Sequence, residues 1–529
     1  MTNFFERLRN EILVLDGSMG AFLQSKGLPE GRAPDLWNLE NPEVIKSVHE
    51  SYIEAGSDVI LTNTFGSTRF RLQEFGASKK VSEINEAAVR IAREAAGRRV
   101  AVAGDIGPCG KTIAPYGEIS FDEAISVFRE QIIALVKAGV DLLVIETMYD
   151  LLEVKAAVIA ANEVRGTIPL IAHMTYNTDE TSAAVLESLD VDVIGVNCST
   201  GPDHMLPVVQ ILGQSTEKFI SVQPNAGIPE LRDGRTIYPS SPDHFAGFVK
   251  KFVEAGANII GGCCGTTPEH IKLVRGMVKG LKPVPRVFPK SLKITGRSRT
   301  LKIGFLNPFV VIGERINPTG RKKLAMEIEA GKTNLIVEEA RKQADAGAHA
   351  LDINVGLPLI NEGEMMQKAV NAVQNAVPLP LVIDSSNPET IEKAVKVYPG
   401  KVLINSVTAE DERIKSIFPV VKRYGTAVIA LTMEKEIPEK ALERVKIAEK
   451  ILKIAEEYGI LKENILFDPL ALTVSAMQEA SKETLEAIRI ISRELKMPTS
   501  IGLSNVSFGL PGRSYIHNTF LAAAVAHGL

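Results

Sequence analysis

One phrase recurs along the chain and limits it to a single class of fold. A helix-like segment ends in Ala-Gly, and a short apolar run follows that stops at a polar or reactive residue. The phrase reads EAGSDVILTNT, KAGVDLLVIET, EAGANIIGGCC and DAGAHALDIN. Because Gly ends helices and a short β-branched run is typical of a buried parallel strand, the repeat predicts alternating helices and strands, an α/β fold.

Strand-like runs occur eight times before a segment rich in Pro and basic residues. They lie near Ile12, Val59, Val100, Leu142, Leu170, Val193, Phe219 and Ile259. After the break KPVPRVFPKSLKITGRSRT, a second series has seven runs: VVIGERIN, ALDINV, LVIDSS, VLINSV, AVIALTM, ILFDP and SIGLSN. Eight parallel strands close one barrel, so the sequence predicts two consecutive (β/α)8 TIM barrels. The second barrel either lacks its eighth strand or is closed by another segment, because an open edge exposes backbone groups.

The length of the chain agrees with this division. Its 529 residues exceed what one hydrophobic core supports, and half of that length suits one barrel. We predict a first barrel at residues 1–280, a linker at 281–305 and a C-terminally truncated second barrel at 306–529.

Charge and hydropathy exclude several classes of partner. The chain has 60 basic and 64 acidic residues, a net charge of −4, and so has no basic excess to hold nucleic acid. No run approaches the roughly 18 consecutive apolar residues of a membrane helix, and the N-terminal segment lacks the features of a signal peptide. We therefore predict a cytoplasmic enzyme without a nucleic acid or membrane partner.

Three of the four cysteines follow strands that open on one face of the first barrel. Cys198 ends the sixth run, and Cys263 and Cys264 end the eighth. Three thiolates with one open position are typical of a catalytic zinc site, which would hold a substrate thiol as a thiolate for alkylation. The alternative is that each is a small buried hydrophobe. Cys109, alone in DIGPCG, is predicted to be a spectator.

Five motifs of the first half resemble the homocysteine S-methyltransferase family. They are DGSMG at 16–20, LTNTF at 61–65, VNCS around Cys198, QPNAG at 223–227 and GGCCGTTPEH from Gly261. With the second series included, the chain resembles the N-terminal half of the cobalamin-dependent methionine synthases. The resemblance implies that Cys198, Cys263 and Cys264 bind Zn2+ and that homocysteine adds its sulfur as the fourth ligand.

Asp16, Glu146, Asn197 and Asn225 also lie at strand ends of the first series, and we predict that they bind the amino acid part of homocysteine. The ammonium needs an acceptor, for which Asp16 and Glu146 are suited. The alternative for each carboxylate is a helix cap. The segment after Thr175, YNTDETSAAVLESLD, is shorter than the resemblance leads us to expect, so a loop over the substrate is predicted to be absent.

Carboxylate and amide side chains end the strands of the second series. They are Glu314, Asn317, Asp352, Asn354, Asp384, Asn405, Asp468 and Asn505. Such a ring suits a flat heterocycle, because an aspartate accepts hydrogen bonds from a ring N–H and an exocyclic amine together. The alternative for any one of them is to cap the following helix.

The polar ring of the second series resembles the pterin-binding barrels. By that resemblance, Asp384 and Asp468 hold the pterin ring, and Asn405 and Asn505 bond near the reactive nitrogen. Arg513 meets the glutamate tail of 5-methyltetrahydrofolate. Asn505 or a water molecule is then the expected catalytic hydrogen-bond donor.

Together the two halves predict methyl transfer from 5-methyltetrahydrofolate to homocysteine, giving methionine and tetrahydrofolate. Two separate sites require a shuttle. The resemblance implies methylcobalamin on a domain supplied in cis or in trans, because this chain has no DxHxxG motif. The alternatives are a cobalamin-independent transferase with a betaine or sulfonium donor, a non-catalytic folate-binding module, and dihydropteroate synthesis by the second barrel.

Overall fold

Parallel strands alternate with helices throughout the structure, as the repeated phrase predicts. The computed structural model describes residues 4–175, 180–232, 235–288, 290–475 and 479–529. The chain divides into two compact units, Met1–Phe288 and Pro289–Leu529. This division falls inside the segment predicted to be the linker.

The first unit is a nearly closed barrel of eight parallel strands. They are β1 Leu13–Val14, β2 Val59–Leu61, β3 Ala101–Ile106, β4 Leu142–Met148, β5 Leu170–Met174, β6 Val193–Asn197, β7 Phe219–Gln223 and β8 Ile259–Ile260. They pair in the order β1-β8-β7-β6-β5-β4-β3-β2, and one parallel bridge from Leu15 to Val59 joins the two ends. The eight-stranded barrel predicted for this unit is confirmed.

Helices connect these strands. In the described part of the unit they are Phe4–Asn10, Met19–Ser25, Trp37–Glu40, Pro42–Ala55, Arg69–Gln73, Val81–Ala96, Phe121–Ala138, Leu151–Val164, Glu180–Ser188, Pro202–Ser215, Pro242–Ala246, Val249–Glu254 and Pro268–Val278. Short 3-10 turns lie at Pro34–Leu36 and Ser78–Lys80, and an antiparallel hairpin joins Glu230–Arg232 to Arg235–Ile237.

The helix Phe121–Ala138 and β4 show the physical basis of the repeated phrase. The Ser120 side chain caps the start of the helix by accepting a hydrogen bond from the backbone N–H of Glu123. Gly139 ends the helix with a φ of 91°, a left-handed conformation that glycine adopts at little cost. The chain then enters β4, of which every residue is buried.

The inside of the first barrel is filled by alternate apolar residues of its strands. The core cluster comprises Leu8, Leu13, Leu15, Val59, Leu61, Ala103, Leu142, Val144, Ile171, Val193 and Ile259. Burying one of the larger of these side chains stabilises the fold by about 1.5–3 kcal/mol. Leu8 belongs to the first helix, which therefore covers the end of the barrel where the strands begin. The end where the strands finish, the barrel mouth, carries the polar residues.

The second unit contains a sheet of six parallel strands that pair in chain order. They are β9 Ile312–Ile316, β10 Ala350–Ile353, β11 Leu381–Asp384, β12 Leu403–Val407, β13 Ala427–Leu431 and β14 Ile465–Asp468. Its helices, in the described residues, are Lys322–Glu329, Asn334–Asp345, Glu362–Ala376, Pro388–Lys396, Asp411–Tyr424, Ala441–Glu457, Ala480–Arg493 and Arg513–His527, with 3-10 turns at Lys462–Asn464 and Leu503–Ser507. No helix in the described ranges combines the length and apolarity needed to cross a membrane.

The seventh strand predicted for the second unit is reduced to one parallel bridge between Phe467 and Thr499. The chain then enters the 3-10 turn Leu503–Ser507, so the run SIGLSN does not extend as a strand. Among the described residues β9 is therefore an edge strand, and its Glu314 and Arg315 are exposed.

Part of the predicted linker belongs to the core of the second unit. Leu292–Thr295 and Thr300–Ile303 form an antiparallel hairpin. Ile294 is fully buried in the core cluster of this unit, and the backbone N–H of Thr295 donates to the carbonyl of Lys401 at 2.9 Å. The structure thus differs from the linker predicted at 281–305, because the period-two pattern of LKIT and TLKI is too short to stand out among the Pro and basic residues.

Candidate functional site

The structure brings three cysteine sulfurs together at the mouth of the first barrel. The Sγ atoms of Cys198, Cys263 and Cys264 all lie within 4.8 Å of one another, and those of Cys198 and Cys264 are 3.9 Å apart. A Zn–S bond of about 2.3 Å in a tetrahedron places two sulfurs about 3.8 Å apart. The spacing of this cysteine cluster therefore fits a zinc ion with three protein ligands.

Backbone contacts between strand ends fix the cysteine cluster. The N–H of Cys198 donates to the carbonyl of Gln223 at 3.1 Å, and the N–H of Cys263 donates to the carbonyl of Pro224 at 2.8 Å. A Cβ on Gly262 would lie 2.4 Å from Oγ1 of Thr266, so only glycine fits between the end of β8 and the cysteine pair. These contacts fix the backbone segments that carry the cysteines relative to one another.

The three sulfurs share protons in the metal-free protein. Hydrogen bonds from Cys263 and Cys264 lower the pKa of Cys198 to about 3, whereas the hydrogen bond to Cys198 raises the pKa of Cys264 to about 11 and also raises that of Cys263. One thiolate is thus stabilised by two neighbouring thiols. A divalent cation would replace those protons, which is the expected behaviour of a thiolate metal site.

Asn197 connects the cysteine cluster to the end of β4. It is fully buried, and its Nδ2 donates to Oε2 of Glu146 at 3.1 Å and lies 3.8 Å from Sγ of Cys263. Thr175 donates through Oγ1 to Oδ1 of Asn197 at 3.1 Å. The amide therefore contacts both a carboxyl group and a sulfur of the cysteine cluster.

Three carboxyl groups are buried at the same mouth: Asp16, Asp105 and Glu146. Burial raises the pKa of Glu146 to about 8, with the charge on Cys198 adding to the effect. Burial followed by repulsion from Glu146 raises the pKa of Asp105, and the pKa of Asp16 is raised by burial first. Carboxyl groups crowded in this way favour a cation, such as an ammonium group, among them.

Asp105 was not predicted from the sequence. It is the last residue but one of β3, within DIGPCG, and the sequence does not distinguish one acid near a strand end from a helix cap. Its Oδ1 is buried without a hydrogen-bond partner among the described residues. An unpaired buried carboxyl oxygen is costly, which favours a role in binding a ligand.

Asn225, Cys109 and the loop after Thr175 are the remaining features predicted for the first unit. Asn225 is buried, and its Oδ1 accepts a hydrogen bond from the N–H of Cys264 at 3.1 Å, so it supports the cysteine loop. Cys109 is buried and donates to the carbonyl of Lys111 at 3.2 Å. The shortened loop after Thr175 was predicted at residues that include 176–179, and those four residues lie outside the described part of the chain.

At the mouth of the second unit, two aspartates are each held by an amide from another strand. Nδ2 of Asn405 donates to Oδ2 of Asp352 at 3.0 Å, and Nδ2 of Asn354 donates to Oδ2 of Asp384 at 2.9 Å. Burial and the charge of Asp384 raise the pKa of Asp352 to about 8. The structure thus brings four of the predicted pterin-site residues into two Asp–Asn pairs.

Asp468 lies half-buried at the end of β14. Burial raises its pKa to about 6, and its Oδ1 accepts a hydrogen bond from the N–H of Leu470 at 2.7 Å. The carboxyl group is therefore fixed at one oxygen, and burial favours its protonated form more than in water.

The other predicted residues of the second unit are more open. Glu314 is exposed and accepts from Oγ of Ser504 at 3.2 Å, and Asn317 accepts from the N–H of Thr319 at 2.9 Å in a turn. Asn505 is exposed within the turn Leu503–Ser507. Arg513 is also exposed, and its guanidinium donates to Oγ of Ser507 at 2.9 Å and to the carbonyl of Ser504 at 2.8 Å.

Comparisons with known proteins assign a family to each unit. The family described as homocysteine S-methyltransferase matches residues 13–278, and the family described as pterin binding enzyme matches residues 313–529. The chain is 31% identical over 569 residues to the methionine synthase of Mycobacterium tuberculosis and 31% identical over 577 residues to that of Mycobacterium leprae. The two alignments cover 100% of this chain but only 48% and 47% of those proteins. The chain therefore spans about half the length of these relatives.

Solved structures with similar folds include two enzymes. One is the metallated form of a homocysteine methyltransferase from Escherichia coli, with a TM-score of 0.43 and 24% identity, covering 50% of this chain and 96% of that one. The other is a dihydropteroate synthase from Thermus thermophilus, with a TM-score of 0.34 and 21% identity, covering 45% of this chain and 91% of that one.

The first family match spans half of the chain, and the second covers most of the remainder. The chain therefore belongs to the homocysteine S-methyltransferase family and carries a pterin-binding module after its first barrel.

Proposed function

We propose that the first unit activates homocysteine for methylation and that the second unit binds 5-methyltetrahydrofolate, the source of the methyl group. The observation that carries the proposal is the convergence of three cysteine sulfurs within 4.8 Å at a barrel mouth. The two family matches and the methionine synthase relatives support it.

In this proposal Cys198, Cys263 and Cys264 hold Zn2+ and leave a fourth position for the substrate sulfur. Zinc, when bound, keeps a coordinated thiol deprotonated at neutral pH. The chain fixes its three sulfurs through backbone bonds before a substrate arrives, so little reorganisation is needed.

The buried carboxyl groups of Asp16, Asp105 and Glu146 would bind the ammonium group of the amino acid. Their mutual repulsion favours protonation when no cation is present. An entering ammonium removes that repulsion and gives Oδ1 of Asp105 a hydrogen-bond donor. Asn197 and Asn225 would orient the site, because each contacts both the cysteine cluster and its surroundings.

In the second unit, Asp384 and Asp468 would accept hydrogen bonds from the pterin ring. Each carboxyl group is already oriented by one donor, the Asn354 amide for Asp384 and a backbone N–H for Asp468. Asn405 would contact the ring near its reactive nitrogen, as the partner of Asp352. A preformed arrangement of this kind lowers the entropy cost of binding.

The more open residues would complete the pterin site at its rim. Asn505 is the proposed hydrogen-bond donor to the reactive nitrogen, and Glu314, which accepts from the neighbouring Ser504, and Asn317 would line the same rim. Arg513 would bind the glutamate tail. Its side chain is exposed, and its guanidinium also donates hydrogen bonds to the turn Leu503–Ser507.

The methyl group has to travel from one unit to the other, and we propose that cobalamin carries it. Cobalamin, when bound, supplies a metal that can accept and donate a methyl group. It would be held on a further domain, in cis or in trans. The support for this step is that the methionine synthases are about twice as long as this chain.

Zinc content and X-ray absorption of the chain, with and without homocysteine, test the first half of the proposal. We expect one zinc bound by three sulfurs and a fourth sulfur when homocysteine is added. The variant Cys263→Ala should lose the metal, whereas Cys109→Ala, which removes a buried cysteine outside the cluster, should keep it. Absence of zinc from the parent chain, or equal zinc in both variants, would refute the assignment.

Calorimetric titration with 5-methyltetrahydrofolate tests the second half. We expect one site that is lost when Asp384 and Asp468 are both changed to Asn. Methionine formation is then measured with free methylcobalamin and, separately, with a sulfonium donor. Activity with the sulfonium donor but not with methylcobalamin, together with no folate binding, would favour the cobalamin-independent alternative.

A further inference from the structure

The side chain of Arg513 is exposed, yet one edge of its guanidinium is already held by the protein. Nε donates to Oγ of Ser507 at 2.9 Å, and Nη2 donates to the carbonyl of Ser504 at 2.8 Å. A free arginine side chain would lose much of its rotamer freedom on binding a ligand, whereas a held one has lost it beforehand. The remaining N–H groups of the guanidinium can still bind a carboxylate.

The hydroxyl that receives Arg513 is itself oriented by a histidine. Ser507 is fully buried, and its Oγ lies 2.7 Å from Nε2 of His517. Because the arginine Nε can only donate, Oγ of Ser507 accepts from Arg513 and has its single proton left to donate. The carbonyl of Ser504, at 3.4 Å, is a more distant acceptor for that proton than Nε2 of His517. We therefore assign the proton to the bond from Ser507 to His517.

We propose that His517 is a positioning residue of the pterin site. Through the Ser507 hydroxyl it holds the guanidinium of Arg513 in the orientation that receives a carboxylate of the glutamate tail. This inference rests on the function proposed for the second unit and adds a residue to it. His517 acts on the ligand through Ser507 and Arg513, so its effect is confined to ligands that carry the tail.

The backbone places these three side chains together. Arg513 and His517 are four residues apart in the helix Arg513–His527, so their side chains lie on the same helix face. Phe520 of this helix packs in an apolar cluster with Val506, the neighbour of Ser507 in the turn Leu503–Ser507. The N–H of Val474 also donates to the carbonyl of Val506 at 3.0 Å. The turn is thus anchored without His517, and loss of the imidazole should change the orientation of the arginine more than the fold.

Removing the imidazole should redirect the serine proton. The Ser507 hydroxyl can then turn to the carbonyl of Ser504, the same oxygen that accepts from Nη2 of Arg513. Both bonds that hold the guanidinium are weakened by this change, so the arginine has to be ordered when the tail binds. We expect His517→Leu to weaken binding of a tail-bearing ligand about tenfold and to leave binding of a tail-less ligand unchanged.

The test compares two probes by calorimetric titration of the full chain. One is 5-methyltetrahydrofolate, and the other is 6-methyltetrahydropterin, which has the reduced pterin ring without the glutamate tail. The measured quantity is the ratio of the dissociation constant of the tail-less probe to that of the folate. Both probes share the contacts of the ring, so a general loosening of the site cancels in this ratio. We expect the ratio to fall about tenfold in His517→Leu.

A rescue and a double variant separate positioning from a merely structural effect. His517→Gln should keep most of the parent ratio, because the glutamine Oε1 can accept from the Ser507 hydroxyl in place of Nε2. Arg513→Leu should lower the ratio, and adding His517→Leu to it should lower the ratio no further, because the histidine acts through the arginine. Independent, multiplying losses in the double variant would overturn the inference.

His527→Leu is the matched control. It removes the other histidine of the same helix, about 15 Å from His517 along the helix axis, where Nδ1 contacts the carbonyl of Ala523. Its ratio should equal that of the parent chain. An unchanged ratio in His517→Leu, or equal affinity of the parent chain for the two probes, would overturn the inference while the pterin site stands. A parent chain that binds neither probe would refute both.

Discussion

Thr147 and Asn197 exchange two hydrogen bonds at the mouth of the first barrel. The N–H of Thr147 donates to Oδ1 of Asn197 at 2.9 Å, and Nδ2 of Asn197 donates to Oγ1 of Thr147 at 2.8 Å. Thr147 lies near the end of β4 and Asn197 ends β6, so the pair spans the intervening strand. Thr147 has a φ of 58°, and the exchanged bonds hold it in that unusual conformation.

Asn197→Ala should destabilise the first unit by about 1–3 kcal/mol, because it leaves buried partners without hydrogen bonds. The measurement is guanidinium unfolding of the zinc-free chain, followed by the fluorescence of the single tryptophan, Trp37, which is buried in this unit. Asn10→Ala, which removes an exposed amide, is the control. Equal stability of the two variants would show that the exchanged bonds do not hold the strand ends.

The contribution of Glu146 to the stability of the first unit should fall as the pH rises from about 4.5 to about 8. Burial raises the pKa of Glu146 from 4.5 to about 8. In this window the folded state keeps a proton that the unfolded state has lost, so each step in pH favours unfolding. Glu146→Gln should remove this contribution, so its stability should rise relative to that of the parent chain as the pH increases, because glutamine cannot ionise but keeps an oxygen for the Asn197 amide.

Trp37 fluorescence during urea unfolding at several pH values measures the effect. Glu118→Gln, at a side chain that is 82% exposed, is the control and should follow the parent chain. If Glu146→Gln and the parent chain have the same pH dependence, Glu146 does not hold the proton.

Asp384→Asn should weaken the binding of 5-methyltetrahydrofolate by roughly ten- to a hundredfold. The substitution keeps the shape of the side chain and its contact with Asn354 but removes a charged acceptor, worth about 1.5–3 kcal/mol in a hydrogen bond. Isothermal titration gives the dissociation constants. Asp345→Asn, at an exposed position, should bind like the parent chain. Equal affinity of all three proteins would place the pterin elsewhere.

Ile294→Ala should destabilise the second unit by about 2–5 kcal/mol, the usual cost of such a change in a core. Ile294 is fully buried in the hairpin that the sequence alone assigns to a linker. Differential scanning calorimetry of the chain measures the transition of this unit. Val287→Ala, at a residue that is 91% exposed, should leave it unchanged. Two identical traces would mean that the hairpin is dispensable, as a linker would be.

The class of fold and the cysteines that form the cluster could be predicted from the sequence because their signals are local. A glycine such as Gly139 ends a helix by its own backbone preference, and the buried run of β4 follows at once. The pair of Cys263 and Cys264 stands out for the same reason, since the two cysteines are adjacent in the sequence and follow directly after a strand-like run. These features depend on residues that are close together in the sequence, so periodic patterns of apolar residues predict them well.

Contacts between distant positions were not predictable in the same way. Asp105 is a candidate site residue only because the fold brings β3 close to Glu146 and Asp16. Ile294 is a core residue only because it packs against strands far along the chain. The sequence by itself determined the alternation of helices and strands and indicated which three cysteines would meet. Tertiary structure alone decided which charges, hydroxyls and amides surround the cysteine cluster, because burial and distance are properties of the packed chain.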